Sequence, residues 1–243
     1  TDSVRGYLLM GWEPDQDSTY AYEAMQALNN AGLVVAMTSF RSQALMGCAD
    51  FLLPITPFSE CSGTMVNIEG QWQWTHAASL PHGEAKPAWK VIRALAGFMM
   101  LNDFEYIDQQ SIAEELKQQI MESDKMHGAS EVAIDRLPEK EDGCHRLASW
   151  PCYRVDGLVR RAASLQEVYQ DDRPVIAMNS QTAQRLGLVV HRPVSAQQGE
   201  QWVTLPMVIN DRIADDVVYI PSGFIETAAF GSAFSPVQLK QEK

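Results

Sequence analysis

Cysteine is scarce in this 243-residue chain, and Cys48, Cys61, Cys144 and Cys152 form no CxxC pair. Iron–sulfur and structural zinc sites need tighter ligand spacing, so neither is expected here. Such sparse usage fits reduced thiols in a cytoplasmic setting better than a disulfide framework. The histidines, His76, His82, His127, His145 and His191, give no HxH, HxxxH or HExxH spacing, so no two imidazoles are set to share one metal. Phosphate-binding glycine loops of the GxGxxG and GxxxxGK[ST] kinds are also missing. Basic residues are few: 19 Lys and Arg against 31 Asp and Glu give a formal charge of −12. That balance excludes a nucleic-acid binder and disfavours docking on anionic lipid. No apolar run approaches the ~20 residues that a membrane-spanning helix requires. The chain starts at Thr1 without a basic-then-apolar leader, so export is not expected and a piece of a longer polypeptide is.

What remains is ordinary globular material, 46% hydrophobic and 21% charged, long enough to bury a real core. Residues 4–10 (VRGYLLM) read as a buried strand ended by Gly11 and Pro14. Ser18 is placed to cap a helix through Tyr22, Met25 and Leu28, with Gly32 at its C-terminal end. Residues 33–37 (LVVAM) and 51–54 are further apolar strands, with a short helix around 43–48 between them. Continuous apolar strands alternating with helices indicate a parallel sheet covered on both faces. Pro87 opens a helix that carries Trp89, Ile92, Leu95, Ala96 and Met99 on one face. Ser111 and Glu114 form a capping-box pattern before Leu116 and Ile120.

The character changes over residues 123–142, which are polar and include Gly128, Pro138 and EKED, and a domain boundary is expected there. The last third alternates short strands (175–178, 189–194, 201–209, 217–220) with turns at 198–200 and 210–211. Asn179 and Ser180 cap one small helix that stops at Gly187. This pattern predicts a compact β-barrel. The fold class is therefore α/β: a doubly wound, mostly parallel sheet with helices over 1–123, a connecting segment 124–170, and a small barrel over 171–243.

Candidate chemistry is thin. Cys61 has Glu60 beside it and His76 and His82 downstream, but adjacent side chains on an extended backbone point apart. A loop-filling cysteine is the better reading. The carboxylate pairs Glu114–Glu115 and Asp215–Asp216 read as a solvated helix face and a turn. Trp72 and Trp74 share one side of an extended segment, suited to aromatic packing or to stacking on a flat ligand.

The stretch ADFLLPITPFSECSGTMVNIEGQWQ (49–73), with HGEAKPAWKVIRALAG after it, resembles the molybdopterin oxidoreductase family. Members carry ADxxLPxxxFxExxGTxxNxEGRxQ and then a Glu-Ala-x-x-x-Trp opening to a helix. Ala49, Asp50, Leu53, Pro54, Phe58, Glu60, Gly63, Thr64, Asn67, Glu69, Gly70 and Gln73 match the first part. Gly83, Glu84, Ala85, Pro87 and Trp89 match the second. The C-terminal third is similar to that family's dinucleotide-binding, double-psi-like barrel, leaving about 105–170 weakly covered. Within the family, CYRVDGLVRRAASLQ and GFIETAAFGSAFSPVQL are similar to the branch that forms the large peripheral-arm subunit of bacterial NADH-quinone oxidoreductase, respiratory complex I.

That likeness implies a catalytically silent scaffold with no catalytic, cofactor-binding or metal-ligating residue. It implies contacts with other peripheral-arm subunits at the cytoplasmic face of the inner membrane, without membrane insertion. Iron–sulfur clusters would lie in preceding parts of the parent subunit, and the assembly would pass electrons from NADH through FMN and clusters to quinone. Gln71 stands where active relatives often have an arginine able to grip a phosphate with a bidentate fork. The alternative that the resemblance allows is a true molybdopterin enzyme of the formate dehydrogenase or nitrate reductase type.

Overall fold

A computed structural model describes residues 4–122, 142–168 and 173–241. The apolar runs at the start become three parallel strands, β1 (Gly6–Met10), β2 (Leu33–Thr38) and β3 (Phe51–Pro54), in spatial order β1-β2-β3. Helices α1 (Ala21–Asn29) and α2 (Gln43–Cys48) make the two crossovers. Side chains alternate along each strand, and Leu9, Val34 and Ala36 point to the side where Leu28 of α1 and Leu45 of α2 complete a buried cluster. Both helices therefore cover the same face. On the opposite face Leu8, Met10, Leu33 and Phe51 remain exposed among the described residues.

Local capping explains most element ends. Ser42 accepts from the Leu45 amide at 3.1 Å and starts α2. Ser18 does not cap α1: its hydroxyl accepts from Tyr20 N at 3.2 Å, and the helix begins after Tyr20. Gly32 keeps an ordinary φ; its amide bonds to Arg5 O, which lies so close that a Cβ would sit 3.1 Å from it. A hairpin of β4 (Gly63–Val66) and β5 (Trp72–Thr75) turns at Asn67 and Gly70. It is followed by α3 (Ala88–Phe98), which starts after Pro87, and α4 (Gln109–Glu122). Asp108, not Ser111, starts α4, because its carboxylate accepts from the Ser111 amide at 2.8 Å.

The second unit holds β6 (Cys144–Leu147), β7 (Ile176–Met178), β8 (Val194–Gln197), β9 (Trp202–Leu205), β10 (Met207–Ile209), β11 (Val217–Tyr219) and β12 (Pro236–Lys240). Their order is β10-β7-β11-β6-β12-β8-β9. The two ends of that order are one stretch of chain: β9 pairs with β8, and after Pro206 the same strand pairs with β7 as β10. Through this shared stretch the sheet of the described residues closes on itself. Ile176, Met178, Val194, Ala196, Leu205, Met207, Val218 and Ile220 fill its interior. Strand β6, drawn from the stretch read as a connecting segment, lies between β11 and β12. Two short helices belong to the second half: α5 (Ala163–Val168), in the connection ahead of β7, and α6 (Ser180–Arg185), which Asn179 caps by accepting from Thr182 N at 2.7 Å. The strand expected over 189–194 is a turn instead, with His191 at φ 67° and Pro193 interrupting pairing, so the strand starts at Val194.

Arg146 is the largest fully buried side chain, 1% exposed inside the second unit. It donates to Ile220 O, Gly231 O, Pro221 O, Ser222 Oγ and Gln198 Oε1 and lies over the Phe230 ring. Among the described residues no carboxylate pairs with it, and burial lowers it to about 10.

Candidate ligand cleft

In open α/β sheets the strand ends that carry loops toward the C-terminus form the natural ligand crevice. Here the chain leaves β1 through Gly11, at φ 60°, whose amide bonds to Met37 O at 2.9 Å. It leaves β2 through Thr38, Ser39 and Phe40, where the Thr38 hydroxyl donates to Phe40 O. A cavity of about 580 Å³ opens there, walled on one side by Trp12 and Phe40 and on the other by Trp150 and Arg154 of the connecting segment. Its size falls within the range of small-molecule sites.

An ion-pair cluster forms the floor. Glu13, 4% exposed, takes both Arg161 guanidinium donors, Nη1 on Oε1 at 2.8 Å and Nη2 on Oε2 at 2.9 Å. Arg160 donates to Asp17 Oδ1 at 2.7 Å and lies 3.5 Å from Glu13 Oε1. Asp17 in turn accepts from the Glu13 amide. Burial lowers the Arg160 affinity for its proton, but Asp17 and Glu13 outweigh it and raise the group overall. Asp15, beside them, is pushed up chiefly by burial. Gly157 allows the approach: a Cβ there would meet Glu13 Oε1 at 3.1 Å and the Phe40 ring at 3.4 Å. Arg161 lies over Phe40 at 4.3 Å and Arg154 over Phe224 at 4.7 Å. Three carboxylates (Glu13, Asp17, Asp156) and two guanidiniums (Arg154, Arg160) line the cavity.

The sequence candidates lie elsewhere. Cys61 is half-buried, and Glu60 turns its carboxylate to the His82 amide at 2.9 Å. Gln71 sits at the hairpin tip, bonded through its amide to Asn67 Oδ1 and absent from the cleft lining. Trp72 and Trp74 do share one side, both lining a groove against α4, and Trp74 meets His76 edge-on at 6.2 Å. Glu115 accepts from the Tyr106 hydroxyl and Glu114 from Gln110. Asp215 accepts from Asn179 Nδ2, and Asp216 pairs with Arg185. His127 lies outside the described residues, and all four cysteines are free. Among the described residues no group of three His, Cys, Asp or Glu is arranged to hold a metal, and no helix is long and apolar enough to cross a membrane. The Glu13–Arg161 contact spans 148 positions, which no local motif signals; the glycine at 157 is where the close approach is made.

Residues 2–98 match the family model of the molybdopterin oxidoreductases. Two kinds of relative stand out. The chain is 31% identical over 154 residues, 63% of its length, to the assimilatory nitrate reductase catalytic subunit of Bacillus subtilis, of which it spans 21%. It is 49% identical over 51 residues to the mitochondrial NADH-ubiquinone oxidoreductase 78 kDa subunit of Candida albicans, of which it spans 7%. The fold is similar to part of acetylene hydratase from Pelobacter acetylenicus, with a TM-score of 0.65 at 15% identity, covering 98% of this chain and 44% of that one.

Proposed function

We propose that this chain is a catalytically silent scaffold within the large peripheral-arm subunit of a respiratory NADH:quinone oxidoreductase. The observation that carries the reading is the neutralised cleft floor. A pterin dinucleotide brings a pyrophosphate, which needs free guanidinium or ammonium groups or a cradle of amides. Here Arg160 and Arg161 are held by Glu13 and Asp17, Arg154 lies over the Phe224 ring, and carboxylates outnumber guanidiniums along the lining. Like charge facing a dianionic linker is repulsive, so the residues present do not fit the family's cofactor. The cleft instead joins the strand ends of the first unit to the connecting segment as a rigid seam. The 49% identity to a 78 kDa complex I subunit over 51 residues supports the same reading. The scaffold would sit at the cytoplasmic face of the inner membrane among other peripheral-arm subunits, and the clusters and flavin would belong to other parts of the assembly.

A second reading has its own observation. The nitrate reductase likeness extends over 63% of the chain, far beyond the 21% covered by the 78 kDa subunit. Under that reading the chain is the C-terminal part of a molybdopterin enzyme. Affinity purification of the full-length polypeptide separates the two. Co-purifying NADH–quinone reductase activity without pterin fluorescence supports the scaffold; nitrate or formate turnover with released pterin overturns it.

A further inference from the structure

The C-terminal end of α3 carries four consecutive apolar residues that the fold does not bury. Phe98, Met99, Met100 and Leu101 are 87%, 67%, 88% and 47% exposed. They are not a loose tail. The Met100 amide bonds to Gly97 O at 3.2 Å and the Leu101 amide to Ala96 O at 2.9 Å, the paired bonds of a Schellman stop, with Met100 in the left-handed region at φ 54°. The same motif ends α6: Gly187 N bonds to Gln184 O, Leu188 N bonds to Ala183 O, and Gly187 stands at φ 67°. There the left-handed position is filled by glycine, which adopts it without strain. At α3 a methionine fills it, and its side chain gains no burial in return. Neither helix termination nor packing accounts for that residue, and strain held without local compensation points to a contact made elsewhere.

The surroundings of the run define the contact. The exposed residues after it include the acids Asp103, Glu105 and Asp108 and a further apolar side chain, Ile107, 82% exposed. Contiguous exposed apolar surface on a soluble unit marks a binding site, and methionines adapt their shape to a partner surface. A second copy would bring the acidic flanks face to face, and anionic lipid would repel them. We infer that the 98–101 run is a docking anchor for a different protein subunit, one that offers an apolar pocket rimmed by Lys or Arg. The inference deepens the scaffold reading and rests on it for the existence of a partner.

The test places p-benzoyl-phenylalanine at Met100 in the full-length chain within its native assembly, with Glu200 on the barrel as the control position. Irradiation is expected to join Met100, and not Glu200, to another polypeptide at an apolar peptide flanked by basic residues. Met100→Gly keeps the left-handed turn and is expected to raise the chain's thermal midpoint while weakening retention of that partner by on the order of tenfold, as for a central interface side chain. Crosslinks confined to the same polypeptide, to a second copy or to lipid overturn the inference, as does a yield equal to the control. Such a failure in an assembly that still lacks pterin removes the anchor and leaves the scaffold reading standing. Pterin in the assembly does the reverse.

Discussion

Arg146 and Glu13 are the two residues on which the packing depends most. Arg146 satisfies four acceptors between Ile220 and Gly231, and Gln198 as well, from one buried position in β6. Arg146→Met would leave the carbonyls of Ile220 and Gly231 without donors, and destabilisation of about 2–4 kcal/mol is expected from the unpaired groups; urea midpoints measure it. With a folded value of about 10, the group is protonated in both folded and unfolded chains below pH 9. It therefore contributes no pH dependence between 6 and 9, and only above about 10 does its release in the folded state add stability with rising pH. Glu13→Gln removes the bidentate acceptor of Arg161 and a neighbour of Arg160. A loss of about 2–4 kcal/mol is expected, because two guanidiniums are left underpaired in a mostly buried site. A double-mutant cycle with Arg161→Met should show coupling of about 1–3 kcal/mol; additive effects would contradict the pairing. These contacts were not legible in the sequence. Glu13 and Arg161 are ordinary charged residues 148 positions apart, and only the folded chain brings them together.

Elements were far more legible, because their signals are local. The continuous apolar runs at 33–37 and 51–54 became β2 and β3, Ser42 caps α2 after β2, and Asn179 caps α6 after β7. Signals failed where two candidates competed. Asp108 takes the Ser111 amide that a capping-box reading assigns to the Glu114 carboxylate, and Pro193 with the left-handed His191 breaks an apolar stretch that reads as a strand. Bonds from Ser111 hold the Asp108 carboxyl below the usual carboxylate range. Its contribution to α4 is therefore present above the unfolded value and lost as pH falls through the lower folded one. Asp108→Ala should reduce helical circular dichroism at neutral pH, with the difference from the parent vanishing in strong acid. The two Schellman stops give a paired test: Gly187→Ala should cost about 1 kcal/mol, because a side chain must then adopt the left-handed backbone. An unchanged thermal midpoint would remove the argument from strain at both positions.

At the scale of the whole molecule, a small parallel sheet with helices on one face leads into a closed barrel, and a partly buried ionic seam ties the first unit to the segment that connects them. The α/β class followed from strand periodicity and the barrel from short strands between turns. Closure was hidden, because Pro206 divides one strand between two partners and a one-dimensional pattern cannot show pairing. The cleft, likewise, is made by residues from 11 to 160. The family frame at 58–73 marks a hairpin whose letters shape a turn, with Gly70 at φ 76° and Gln71 bonded to Asn67. The functional proposal therefore stands on cleft charge, not on that motif. The most direct test is the molybdenum content of the purified full-length polypeptide, measured by mass spectrometry against protein concentration. The scaffold account predicts molybdenum far below one atom per chain, and a stoichiometric value would contradict it.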